Sequence, residues 1–310
     1  MLPILLICAT LLPAAPLSAA PLSAAPSASP QAKSGSHDRE FWQAIVKADY
    51  AVPPNEQLLP LARELSAMLA SPDPELRDDW GYSILAAWIF QKRLLDDGQV
   101  RGLMAEWTKN LDAGIGSTET DDVFRRSFSA LMLSVAVARD NATPFLEPAE
   151  LRALLTASLG YLSRERDVRG YDAAKGWMHS VAHTADLLKF LARSRHLPAA
   201  AQVEILDAIA AKLRTAPIPF AYGEDQRFAR AVLSIINRED FDRQAFDAWV
   251  LRAKPAWPKG ERPDAALVRG NLNLSNLLAK LYVILSFQPQ PGEDARAAAT
   301  SVGAAVKTLF

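Results

Sequence analysis

Two of the chain's four histidines stand four residues apart in "GWMHSVAHTADLL", and an aspartate follows three residues after the second. On a helix turning about 100° per residue, His183 lies about 40° around from His179 and Asp186 about 20° the other way. All three side chains then project from one face. Imidazoles so placed can do three kinds of work. They can satisfy backbone groups in a buried polar seam. They can bind a ligand, or move its protons without metal, beside Arg169, Tyr171 and Lys175 of the preceding segment. They can also grip one metal ion, as the paired histidines of zinc hydrolases do. Zinc is the weakest of these readings. Ser180 stands where those enzymes place a general-base glutamate, and further ligands would have to come from Asp186, Glu224 or Asp225. No cofactor is expected.

Helices must position these groups. From about residue 37 onward, "LARELSAMLA", "LRALLTASLGYL", "AAQVEILDAIAAKL" and "AFDAWVLRA" space their apolar residues at three and four, and no alternating run with hairpin turns marks a strand. Breaks such as "YAVPPN", "SPDP", "AGIGSTETDD", "RDVRGYDAAKG" and "APIPFAYGED" separate about a dozen helices. The expected fold is all-α, with antiparallel helical hairpins arranged as a HEAT-like superhelix or a part-closed (α/α) toroid. One domain is expected over residues 37–310.

Alternate helices begin alike. "ELRDDWGYSILAAWIF" enters through Asp78 and Asp79, "TETDDVFRRSFSALML" through Asp121 and Asp122, and "YGEDQRFARAVLSII" through Glu224 and Asp225. "GWMHSVAHTADLL" is a fourth such start, and "RGNLNLSNLLAKLYVIL" a fifth. About one turn in, each carries a polar group: Tyr82, Arg125 and Arg126, His179, Arg227, Asn273. Alternate helices of an antiparallel stack point the same way, so these starts should gather at one edge. Asp79, Tyr82, Asp122, Arg125, Arg126, Arg169, Tyr171, Trp177, Glu224, Asp225 and Arg227 are therefore the candidate ligand contacts. Acids at helix starts are also ordinary caps. Acids, arginines, aromatics and histidines recurring on the same helix set are what ordinary capping explains less well.

"DPELRDDWGYSILAAWI", "DDVFRRSFS", "DVRGYDAAKGWMHSVAHTADLL" and "GEDQRFARAV" together resemble domain-of-unknown-function family 2785, a family of uncharacterised bacterial proteins. The resemblance runs from about residue 50 to about residue 285. It implies a helical domain and carries over no catalytic residues.

The bulk numbers bound the function. A net charge of −1 with 22% charged residues argues against a nucleic-acid partner, which usually needs a basic patch. Residues 1–36 read as a signal peptide and low-complexity linker. The apolar run from Ile4 to Leu12 is too short to span a bilayer, small residues suited to cleavage follow it, and "PLSAAPLSAAPSASP" is linker-like. Such a leader places the protein in the periplasm or outside the cell. The single cysteine, Cys8, lies inside it, so a processed chain has no thiol chemistry. Trp80, Trp88, Trp107 and Trp177 are either core or a sugar-stacking platform. The leading expectation is an exported protein that binds a ligand or protein partner through the polar edge of helix starts. The alternative is a hydrolase or lyase, metal-assisted or not, using His179 and His183 with Asp186 and an acid from the 224–225 turn.

Overall fold

The computed structural model describes residues 37–257 and 262–309; the expected leader and linker over 1–36 lie outside them. Side-chain caps mark where the helices start. Asp38, Asp242 and Asp264 accept hydrogen bonds from backbone N–H groups three residues on, and Asp96 with Gln99 and Glu147 with Glu150 form reciprocal capping boxes. Among the described residues there are twelve helices. The first two are α1 (Arg39–Lys47) and α2 (Leu58–Met68). The third, α3, is wound in three parts: Glu75–Tyr82 and Ala87–Gln91 with π-helical turns, and Ser83–Ala86 between them as α-helix. The Ser83 hydroxyl donates to the Asp78 carbonyl five residues back and serves that wider turn. Then follow α4 (Asp97–Asn110), α5 (Asp122–Ala142), α6 (Pro148–Arg164), α7 (Ser180–Arg193), α8 (Ala200–Thr215), α9 (Glu224–Ile236), α10 (Arg243–Ala253), α11 (Ala265–Ser286) and α12 (Glu293–Lys307).

The chain is thus all-α, with one small departure. "YDAAKGW" forms a hairpin in which β1 (Tyr171–Asp172) pairs antiparallel with β2 (Gly176–Trp177). The Asp172 carboxylate accepts from Ala174 N and Lys175 N at 2.8 Å each, and Gly176 takes a left-handed φ of 72°. Those are the turn devices of a three-residue hairpin loop. Four-residue sheets are too short to leave a period-2 signature, which is why apolar spacing does not reveal them.

The helices form two rows. α3, α5, α7, α9 and α11 pack successively against one another, while α6, α8, α10 and α12 form the other row. α4 packs on α5, α6 on α7, and α8 on both α9 and α11. α5 is buried along nearly its whole length, as the "SFSALMLSVAVA" run of small and apolar residues requires. Early residues of successive first-row helices touch. The Arg77 guanidinium sits 4.1 Å from the Phe124 ring centroid, Ser127 bonds His183, and Asp186 bonds Arg227. The starts of α3, α5, α7 and α9 therefore lie side by side.

Trp80, Trp88 and Trp107 are core residues, which removes them from a sugar-stacking platform. The indole N–H of Trp88 donates to the Tyr50 carbonyl and that of Trp107 to the Ser66 hydroxyl, so burial leaves neither donor unpaired. Of the four, only Trp177 remains exposed.

Candidate functional site at the start of α7

The hairpin sets the site in place. Its loop is tied down by Arg77, which donates to the Lys175 carbonyl at 2.8 Å, and by Lys175, whose ammonium meets Asp121 at 2.6 Å. Across the two strands, Tyr171 and Trp177 are register partners with ring centroids 4.7 Å apart. Tyr222, from the segment before α9, stands edge-on to Trp177 at 6.1 Å. All three rings are exposed. Tyr222 can come so close because it covers Gly170: a Cβ there would lie 1.9 Å from the Tyr222 ring.

Beneath this aromatic group lies His179, and here the structure corrects the helical reading. His179 is not on the helix; it is the N-cap of α7, in the left-handed conformation at φ 50° and ψ 32°. α9 begins in the same way from Gly223 at φ 88°. Glycine adopts that conformation freely, whereas a histidine pays on the order of 1–2 kcal/mol for it. The imidazole stacks on Trp177 with centroids 4.2 Å apart and planes 25° apart, and it stands nearly perpendicular to His183. It is 6% exposed, and its Nε2 has no hydrogen-bond partner among the described residues. Burial, assisted by the Arg227 charge, pushes its pKa down to about 4 against the weaker pull of the Tyr222 backbone and Asp186. The ring is neutral at pH 7.

His183 is sealed deeper. Its Nδ1 lies 2.8 Å from the Ser127 hydroxyl, which also contacts the Met178 carbonyl, and Phe128 packs edge-on against the ring. A carbonyl can only accept, so the serine proton goes to Met178 and His183 Nδ1–H donates to the serine oxygen. Burial drives the His183 pKa well below the usual imidazole range. Asp186 is ion-paired. It accepts from Lys189 at 3.0 Å and from Arg227 at short range, and among the described residues no hydrogen bond joins it to an imidazole. The expected triad on one helical face is therefore three separate groups: an N-cap ring, a sealed seam and an ion-paired carboxylate.

The other candidates divide. Glu224 is buried and accepts from Tyr222 N at 2.8 Å, closing its own turn, and burial raises its pKa. Asp225 is half-buried beside it and caps Gln226 N. Arg169 is held by Asp167 through two hydrogen bonds and by the Thr120 carbonyl. Arg126 does not reach a ligand edge. It is fully buried, donates to Glu165 at 2.6 and 3.0 Å, and donates again to the carbonyls of Ala113 and Gly114. Its neighbour Arg125 is exposed but opens onto a different groove, with Arg63, Glu106, Lys109 and Asn110. Asp79 lines a third hollow with Lys47, Tyr50 and Trp80; burial and the charges of Glu75 and Asp73 raise its pKa. Tyr82 is half-buried on the same turn of α3, and Asp122 is exposed on the first turn of α5. The candidate residues thus share a set of helix starts without converging on one cavity.

Sequence reasoning passed over Tyr222 and Arg77, and noted Asp78 only as an acid at a helix start. Asp78 is paired with Arg77, yet burial raises its pKa to about 6. For Tyr222 a signal was present: an aromatic before Gly223 and acids, matching Trp177 before the start of α7. Among the described residues no group of three His, Cys, Asp or Glu side chains is placed to hold a metal ion.

The fold and these helix starts define an all-α protein that presents three exposed aromatic rings, Tyr171, Trp177 and Tyr222, just before α7 and α9 begin. A family model described as Protein of unknown function (DUF2785) matches residues 111–283, more than half of the chain, and the chain belongs to that family. The match runs from the end of α4 into α11 and includes the hairpin, His179, His183 and the start of α9. No curated protein and no solved structure matches the chain.

Proposed function

We propose that the chain binds a ligand, or an extended segment of a partner protein, on the aromatic group Tyr171, Trp177 and Tyr222 at the start of α7. The observation that carries this reading is His179. A buried ring nitrogen without a partner costs about 1–3 kcal/mol, and a left-handed histidine adds strain. Both are held under an indole that is itself exposed. A ligand with a flat or apolar face stacks on Trp177 and Tyr222, and a polar group on it reaches His179 Nε2 once the indole swings aside. Arg227, Lys175 and Asp172 surround the rings with charges of both signs.

Export remains part of the proposal and rests on the leader pattern of residues 1–36. Mass spectrometry of the protein from the producing cells tests it: an N-terminus near residue 20–30 supports export, and an intact leader opposes it.

A second reading is general-base catalysis in a hydrolase or lyase. It is favoured by the same nitrogen, because a neutral imidazole with a free Nε2 beside the Arg227 cation is the form a base requires. One experiment separates the two. A small-molecule library is screened by thermal shift against wild type, Trp177→Ala and His179→Gln, with any hit followed for turnover. A hit lost in both variants without turnover supports binding. A hit that is consumed by wild type and still bound by His179→Gln supports catalysis. A hit that shifts all three proteins equally removes this site.

A further inference from the structure

α7 and α9 pack side by side from their starts, and the faces they turn to each other carry a matching series of polar groups. Asp186, Lys189 and Arg193 of α7 follow one another at spacings of three and four, as do Arg227, Arg230 and Ser234 of α9. At about 100° per residue each trio falls within an arc of about 60°. Two contacts bring the trios together. Arg227 bonds Asp186 near the helix starts, and Arg193 Nε donates to the Ser234 hydroxyl at 3.0 Å further along. The step between these contacts is seven residues on both helices, as parallel neighbours require.

Charge does not balance along this seam. Lys189, Arg193, Arg227 and Arg230 share one carboxylate, Asp186, which is taken by Lys189 and Arg227. Arg193 and Arg230 are exposed and form no ion pair among the described residues. The flanking helices do not make up the difference. α11 contains no Asp or Glu, and α5 contains only Asp122, in its first turn, and Asp140, whose carboxylate accepts from Phe145 N and Leu146 N. The acids of α9 itself are spent on backbone, Glu224 on Tyr222 N and Asp225 on Gln226 N. Phe190 holds two of the cations without neutralising them: Lys189 Nζ lies 4.4 Å and Arg193 Cζ 5.2 Å from its ring centroid. The Lys189 side chain is only 12% exposed, so water screens its charge little.

We propose that the α7–α9 seam is an anion site, where a carboxylate or phosphate group of a small ligand sits among Lys189, Arg193, Arg227 and Arg230. The ligand supplies the counter-charge that the fold leaves out, through charge-assisted hydrogen bonds to guanidinium groups. Asp186 orients Lys189 and Arg227 for it. Asp186 lies seven residues, about 10 Å of helix, beyond His179. The anion is then the far end of an elongated ligand whose flat end stacks on Trp177. That link rests on the binding reading above; the anion site itself does not.

Calorimetry on the full chain at low ionic strength tests it with two probes, inorganic phosphate and succinate, each against chloride at matched ionic strength. At least one probe should saturate with a Kd of about 1 mM or below, and the one that does tells phosphate from carboxylate. Arg230→Gln should weaken that binding about tenfold or more while the circular-dichroism spectrum stays unchanged. Arg63→Gln, on the groove of Arg125, and Trp177→Ala should leave it as in wild type. No saturation by either probe, an equal response to chloride, or an Arg230→Gln protein that binds like wild type overturns the proposal. So does an equal loss in Arg63→Gln or Trp177→Ala, which would put the anion elsewhere. If binding of the probe depends on Arg230 while no library hit depends on Trp177, the anion site stands and the aromatic reading fails.

Discussion

The indole of Trp177 lies almost parallel to the imidazole of His179, ring centroids 4.2 Å apart, and shuts that ring into a site where it is neutral. The contact makes His179 readable by its titration. Proton NMR of the wild type should find one histidine with a midpoint near 4. Trp177→Ala admits water to the ring and should move that midpoint up toward the unperturbed 6.5. A midpoint unmoved by the substitution would mean that the indole does not seal the site.

Acid should weaken the fold through the same group. His179 has a folded pKa of about 4 against 6.5 when unfolded, so the unfolded chain takes up its proton first. The stability it contributes is complete above about pH 6.5 and is lost as pH falls through 4. His183 acts in the same direction. Asp78 opposes them: its raised pKa makes folding less favourable as pH rises from 3.8 to about 6. Comparing wild type with His179→Gln in urea isolates the histidine. Their stability difference should shift by about 2–3 kcal/mol in favour of the variant between pH 7.5 and 4.5. A difference constant across that range would contradict the neutral, buried ring.

Arg126 and Glu165 form a closed ion pair with both side chains buried. Removing one partner strands the other charge. Glu165→Leu alone should cost about 3–5 kcal/mol, measured by denaturant midpoint, and Arg126→Met with Glu165→Leu together should cost less than the two single changes summed. Additive losses would show that the pair is not coupled.

Gly170 leaves the space that Tyr222 fills. Gly170→Ala must push the Tyr222 ring outward, at a cost of roughly 1–3 kcal/mol, and it should abolish any thermal shift produced by a ligand of the Trp177 site. A ligand response that survives this substitution would exclude Tyr222 from binding.

The spacing of apolar residues and the placing of acids, prolines and glycines were enough to read an all-α chain of about a dozen helices, their alternation and the likeness of their starts. Those signals are local: a cap, a turn or an apolar face depends on residues within a few positions of one another. The long motifs also carried the family. Other properties depended on groups distant in the chain. Arg126 looked like one more edge cation, and it is buried because Glu165, thirty-nine residues on, meets it. His179 and His183 looked like a helical pair. The hairpin, anchored by Arg77 nearly a hundred residues earlier, feeds the chain into α7 through a left-handed turn and takes His179 off the helix. Trp80, Trp88 and Trp107 could not be told from Trp177 until packing placed three in the core and one at the surface. Residue type and periodicity determined which elements form and which face each one buries. Burial, and with it the lowered pKa of His179 and His183 and the raised pKa of Asp78 and Glu224, was decided by which elements meet, because desolvation depends on all surrounding atoms and not on neighbours in sequence.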